Sequence, residues 1–144
     1  MQSPKKIYLV EDKKEQILLI KEAARKLGIE QEIKIITSGK EALSLLKSKS
    51  DCLNENCPKL IILDINIPAP DGFEILKAIK THEIIRHIPV VIFTSSPHDE
   101  HVMKCYKLGA NSYVTKPALF KHFIEKMRRI IEYWFYVNVH PPVL

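Results

Sequence analysis

The strongest constraint on the fold is a set of short apolar runs, each broken off at a polar or charged residue. Leu60-Ile61-Ile62-Leu63 stops at Asp64, and Ile7-Tyr8-Leu9-Val10 stops at Glu11 and Asp12. Val90-Val91-Ile92-Phe93 ends at Thr94, and Tyr113-Val114-Thr115 ends at Lys116. Branched aliphatics in unbroken runs are expected where a strand is buried on both faces. In an open parallel sheet the C-termini of the strands all open on one crevice, where ligands bind. Glu11, Asp12, Asp64, Thr94 and Lys116 should therefore converge in a small charged pocket suited to a metal ion.

Helix-period segments separate these strands. The first is expected from about Lys14 to Leu27, with Ile17, Ile20, Ala24 and Leu27 on one face and Gly28 as its stop. A short strand at Glu32–Ile36 precedes Ser38-Gly39-Lys40-Glu41, which has the spacing of a capping box, and a helix with Ala42, Leu45 and Leu46 inward. Ser48 through Pro58 reads as a loop. Ile67-Pro68-Ala69-Pro70-Asp71-Gly72 is too proline-rich for a regular element, and turn geometry accounts for Pro68 and Gly72. A helix follows to about Lys80, another spans Glu100–Leu108 before Gly109, and a long last helix runs from about Leu119 to Tyr136. Strand and helix alternate five times, which implies an α/β fold with a parallel sheet and helices on both faces.

Bulk composition narrows the function classes. The 144 residues suit one domain; 46% hydrophobic and 27% charged residues is ordinary for a water-soluble protein. No apolar run reaches the roughly 20 residues of a membrane-spanning helix. The start of the chain has no secretory h-region, so a cytoplasmic location is expected. The net charge of +5 comes mostly from lysines mixed with acids on helix faces; only Lys121, Lys126, Arg128 and Arg129 cluster, and no nucleic-acid partner is expected. Cys52 and Cys57 lack the further ligands of a zinc site, and free thiols are expected at all three cysteines. His98 and His101 are expected as solvent-facing residues at a helix start rather than as metal ligands.

Several motifs in fixed order resemble the receiver domain of two-component response regulators, over roughly residues 5–132. They are Val10-Glu11-Asp12, Leu63-Asp64-Ile65-Asn66-Ile67-Pro68 with Asp71-Gly72, Phe93-Thr94-Ser95, and Gly109 through Pro117. The resemblance implies a doubly wound, flavodoxin-like sheet of five parallel strands in the order 2-1-3-4-5. It implies that Asp64 accepts a phosphoryl group from a sensor histidine kinase. Mg²⁺ would be held by Asp12, Asp64 and the main-chain carbonyl of Asn66, with Glu11 bound through water. Lys116, the Thr94 hydroxyl and the Ser95 N–H would contact phosphoryl oxygens, and Thr94 with Tyr113 would form the conformational switch. Asn66 and Ser96 would tune the lifetime of the phosphorylated state, and the Lys116–Pro117 peptide would be cis. The physics agrees: three carboxylates in one pocket repel unless a cation offsets them, and phosphoryl transfer needs charge neutralisation more than protein covalent chemistry.

The resemblance implies a phosphoacceptor signalling domain, which takes part in its own phosphotransfer and autodephosphorylation, rather than an enzyme. Residues 1–136 form the receiver, 137–144 an apolar tail, and no separate output domain is expected. The apolar face of the last helix and the aromatic tail point to a homodimer through the last two helices and the fifth strand. The loop at 48–58, the absent output domain and the tail with Trp134 resemble single-domain regulators that serve bacterial phytochromes. Two rival readings are a scaffold that works without phosphorylation and an Asp- and Mg²⁺-dependent phosphohydrolase of the haloacid dehalogenase type. The hydrolase motif needs a second aspartate where Asn66 stands.

Overall fold

A computed structural model describes residues 6–48 and 57–141. Five strands, β1 (Ile7–Val10), β2 (Ile33–Ile36), β3 (Leu60–Leu63), β4 (Val90–Thr94) and β5 (Ser112–Thr115), form one parallel sheet in the order β2-β1-β3-β4-β5. The helices are α1 (Lys14–Leu27), α2 (Gly39–Lys47), α3 (Gly72–Lys80), α4 (Asp99–Lys107) and α5 (Phe120–Glu132). Both the parallel pairing and the strand order agree with expectation.

Successive strand residues point to opposite faces, so each apolar run feeds two cores. Tyr8, Val10, Ile61, Leu63, Val90 and Ile92 pack with Ala42, Leu46, Ile75, Leu76 and Ile79 of α2 and α3 and with Cys105 of α4. Ile7, Leu9, Leu60, Ile62, Val91 and Phe93 pack on the opposite face with Ile20, Ala23 and Ala24 of α1 and Phe123, Met127 and Ile130 of α5. The three central strands are buried throughout, whereas the edge strand β5 is half-buried along its length. Among the described residues no helix is long and apolar enough to cross a membrane.

The helix ends show what local sequence does and does not determine. Gly28 and Gly109 take positive φ angles of 71° and 102° after α1 and α4, where an L side chain would be strained. The Ser38 hydroxyl accepts from the Glu41 N–H at 3.1 Å, which is half of the expected box. The reciprocal box forms instead at α3: the Asp71 carboxylate accepts from the Glu74 N–H, and the Glu74 carboxylate accepts from the Asp71 N–H. Lys80 Nζ donates to the carbonyls of Arg86 and Ile88, pinning the connection to β4, and burial pushes its pKa down to about 8.

Three expectations are corrected. The last helix does not run on as α-helix to Tyr136; after Glu132 the chain widens into a π-helical turn, Tyr133–Val137. In that turn Trp134 and Phe135 pack against the core beside α1 and α5, while Tyr136 and Val137 are exposed. Wider turns turn side chains in a way that strict 3.6-residue spacing would not. Cys57 is disulfide-bonded rather than a free thiol; Cys52 lies outside the described residues. Cys105, buried in α4, is free as expected. The cis peptide bond is Ala69–Pro70, not Lys116–Pro117; X–Pro bonds favour trans so weakly that tertiary context selects the isomer.

Gly39 opens α2 directly against the loop after β3. A Cβ there would lie 1.9 Å from the Pro70 carbonyl oxygen. Gly39→Ala would gain about 1 kcal/mol of helix propensity, but the clash with backbone outweighs it. We expect a net loss of about 1–3 kcal/mol in urea unfolding; a stabilised variant would show that the two segments separate easily.

Candidate phosphoryl-acceptor site

Each sheet strand that reaches the crevice delivers one group, because the apolar run fixes where burial ends. β3 presents Asp64, only 4% exposed; β1 presents Glu11, 1% exposed; and Thr94, the last residue of β4, is fully buried. Lys116 follows β5, and its N–H donates to the Thr94 carbonyl at 2.7 Å, extending the ladder and fixing the side chain's origin. Its ammonium, 5% exposed, donates to Asp64 Oδ2 at 2.9 Å and also to Glu11 Oε1. Asp64 Oδ1 accepts from the Thr94 hydroxyl at 2.8 Å and from the Asn66 N–H at 2.9 Å. The Asn66 side-chain amide donates to Thr94 Oγ1 at 3.3 Å. The structure thus brings together Asp64, Glu11, Thr94, Asn66 and Lys116.

Two buried carboxylates share one ammonium, and the electrostatics divide accordingly. Burial alone would raise the Asp64 pKa. The Lys116 charge and its hydrogen bond, with those from Asn66 and Thr94, outweigh burial and hold Asp64 below the ordinary aspartate range. Burial raises the Glu11 carboxyl; Lys116 offsets only part of that, and the Asp64 charge adds to it. Of the two acids, Asp64 is therefore the one kept anionic.

The acid pair behaves differently from a simple helix cap. Glu11 Oε2 accepts from the N–H groups of Asp12 (3.0 Å) and Lys13 (3.4 Å), so Glu11 braces the entry to α1. Asp12 Oδ1 is buried without a hydrogen-bond partner. A buried carboxylate oxygen in that condition is expensive unless a cation meets it. Among the described residues no three His, Cys, Asp or Glu side chains stand as a ready metal cluster. The expected ligand set does not need one: it comprises two carboxylates, one main-chain carbonyl and water, the hard oxygen donors that Mg²⁺ prefers. With Glu11 and Asp64 both drawn to Lys116, Asp12 supplies an oxygen that accepts no hydrogen bond and has the Lys13 ammonium only at 3.9 Å, and the donor chemistry fits a small divalent ion.

Gly72 has a role beyond its turn. A Cβ there would lie 2.5 Å from the Asp64 carbonyl oxygen and 2.4 Å from Ile65 Cα. Only glycine lets α3 begin against the backbone that carries Asp64. Ser95 follows Thr94 on the exposed loop between β4 and α4.

Tyr113 is half-buried, and its hydroxyl donates to the Ser96 carbonyl at 2.7 Å. The Ser96 side chain is buried and bonds His101 Nδ1 at 2.6 Å. The His101 ring also meets Phe73 edge-on at 5.8 Å and His98 at 5.3 Å. The expectation that His101 merely faces solvent is therefore corrected: it ties α4 to the loop that follows Thr94. Its Ser96 partner, five residues earlier and across the helix start, is what a helical reading of α4 alone misses. Lys13 was also missed as a site residue. Its Nζ donates to the Asn66 carbonyl at 2.9 Å and lies 3.9 Å from Asp12 Oδ1.

Comparison with known proteins identifies the family and the fold. Residues 7–128 match the response regulator receiver domain family. The chain is 35% identical over 131 residues to the response regulator Rcp1 of Synechocystis sp., covering 91% of this chain and 89% of that protein. The crystal structure of the phosphorylated cyanobacterial phytochrome response regulator RcpA superposes with a TM-score of 0.84 at 34% identity, covering 96% of this chain and 99% of that one. The Mn²⁺-bound form of Rcp1 gives a TM-score of 0.82 at 34% identity with the same coverage. With its five-stranded order, its strand-end acids and its shared lysine, the chain belongs to the response regulator receiver domain family of two-component systems.

Proposed function

We propose that this protein is a single-domain response regulator in which Asp64 accepts a phosphoryl group from a sensor histidine kinase. The observation that carries this reading is the Asp64 carboxylate itself. It is buried and anionic, with one oxygen on Lys116 and the other on Thr94, beside an Asp12 oxygen that accepts no hydrogen bond. In the transfer, an Asp64 oxygen forms the new O–P bond as the N–P bond of the kinase phosphohistidine breaks, and the imidazole leaves to take up a proton. Asp12, Asp64 and the Asn66 carbonyl would hold Mg²⁺, with Glu11 reached through water; the ion supplies charge neutralisation for the phosphoryl oxygens. A Mn²⁺-bound relative of the same fold supports the choice of a divalent ion.

Lys116 serves the opposite side of the acceptor. Its ammonium holds the anion before transfer and neutralises a phosphoryl oxygen afterwards, while the Thr94 hydroxyl and Ser95 N–H donate to others. Thr94 can make that bond only by turning its hydroxyl from Asp64 Oδ1. Tyr113, bonded to the Ser96 carbonyl two residues on from Thr94, would couple this movement to α4 through the Ser96–His101 contact. Asn66 and Ser96 flank the acceptor and the switch loop, positions suited to tuning the lifetime of the phosphorylated state.

The protein would act in the cytoplasm and signal through a partner or a dimer rather than through catalysis of its own. Similarity to regulators named for phytochromes supports a phytochrome-type kinase. Met103 and Tyr106 on α4, Leu119 before α5, and Tyr133, Tyr136 and Val139 beyond its end are exposed apolar residues. They support a homodimer through the last two helices and the fifth strand.

With Mg²⁺ and a small phosphodonor such as phosphoramidate, wild type becomes phosphorylated once and Asp64→Asn does not. Lys116→Met should slow labelling by about 10²-fold; repeated phosphoester turnover per chain would favour the hydrolase instead. In chelator, Asp12→Ala should raise thermal stability by about 1 kcal/mol, because it removes a buried oxygen that accepts no hydrogen bond, and it should abolish stabilisation by added Mg²⁺. Sedimentation at micromolar concentration should reveal a dimer, weakened by Tyr136→Glu; a strict monomer with and without phosphorylation contradicts the dimer.

A further inference from the structure

We infer that Lys13 is a resident counter-ion that competes with the divalent cation for the Asn66 carbonyl and the Asp12 carboxylate, and thereby sets the metal affinity of the site. The inference rests on the metal reading above. Lys13 is the residue preceding α1, with extended φ and ψ of −80° and 124°, and its side chain makes no cap bond to the helix. It crosses the crevice instead to an oxygen 53 positions away in sequence. Fixing so long a side chain in one geometry has an entropic penalty, so the attraction of the crevice must offset it.

The attraction is specific in position. The ammonium is 2.9 Å from the Asn66 oxygen and 3.9 Å from Asp12 Oδ1. Those are two of the oxygens assigned to the metal. Lys116 cannot serve them, because its ammonium is engaged with Glu11 and Asp64. A divalent ion bonded to the same carbonyl at about 2.0–2.1 Å would enter the gap that the ammonium bridges. Two cations would then share one carbonyl and one carboxylate a few ångströms apart, and the monovalent one leaves. Lys13 can leave readily, since its side chain is 48% exposed and needs only to swing into water. Metal loading is thus an exchange of cations rather than a simple addition.

The competition is modest in size because the pair is half-exposed and screened. Replacing Lys13 by methionine keeps the aliphatic stem and removes the charge. Mg²⁺ titrations by calorimetry on the full chain should show Lys13→Met binding about two- to fivefold more tightly than wild type, the range that an ion pair of this exposure is worth. Lys14→Met removes the same charge from the exposed neighbour and should change affinity by less than about twofold. In a second measurement, the Lys13 ammonium signal in nitrogen-detected NMR should shift on adding Mg²⁺ to the wild type, reporting release from the Asn66 carbonyl. Equal tightening by Lys13→Met and Lys14→Met would reduce the effect to net charge and overturn the proposal, as would unchanged or weaker binding by Lys13→Met. If neither wild type nor Lys13→Met binds Mg²⁺, the metal reading itself fails. Binding that is lost in Asp12→Asn but indifferent to Lys13 leaves that reading standing and overturns this one.

Discussion

One ammonium shared by two buried carboxylates organises this protein. Lys116 meets Asp64 and Glu11 in a crevice with almost no exposure, where each ion loses several kcal/mol of hydration. Such a cluster is a poor device for stability, and a repacked apolar core would serve better. It makes sense as stored electrostatics. The lysine cannot satisfy both acids fully, and the imbalance leaves Asp64 anionic while Glu11 is pushed toward protonation. Asp12 adds a further carboxylate with an oxygen that accepts no hydrogen bond and has the Lys13 ammonium only at 3.9 Å.

The fold exists to hold that imbalance in place. Three central strands with no polar alternation can be buried on both faces only if helices cover both, and the register that results delivers Glu11, Asp64 and Thr94 to one edge. Tight backbone approaches at Gly39 and Gly72 then seat the loop after β3 against the starts of α2 and α3. The Asp64 backbone is thereby wedged against α3. On the other side the Thr94 hydroxyl donates to Asp64, and Ser96, two residues on, accepts from the Tyr113 hydroxyl and bonds His101 of α4.

The parts of this arrangement visible in the sequence were those set by local burial. The ends of the four apolar runs located Glu11, Asp64, Thr94 and Lys116, since a strand leaving the core must end in something water or a ligand can meet. The helix stops at Gly28 and Gly109 were similarly legible. Tertiary context decided the rest. Ser38 and Glu41 had the capping-box spacing, yet the full box forms at Asp71 and Glu74, where the β3–α3 loop presents the helix start differently. The reach of Lys13 to Asn66 and of His101 to Ser96 depends on how elements are set side by side, which spacing along one element cannot express. The π-helical turn at Tyr133–Val137 likewise follows from packing beyond the local pattern.

The division of charge within the crevice can be observed directly by following the side-chain carboxyl carbons of Asp64 and Glu11 by NMR as pH is varied in the presence of chelator. Asp64 is predicted to titrate below the ordinary aspartate range and Glu11 above the ordinary glutamate range, with the Asp64 value rising when Lys116 is replaced by methionine. An Asp64 that titrates above its ordinary range, or one indifferent to the loss of Lys116, would contradict the account.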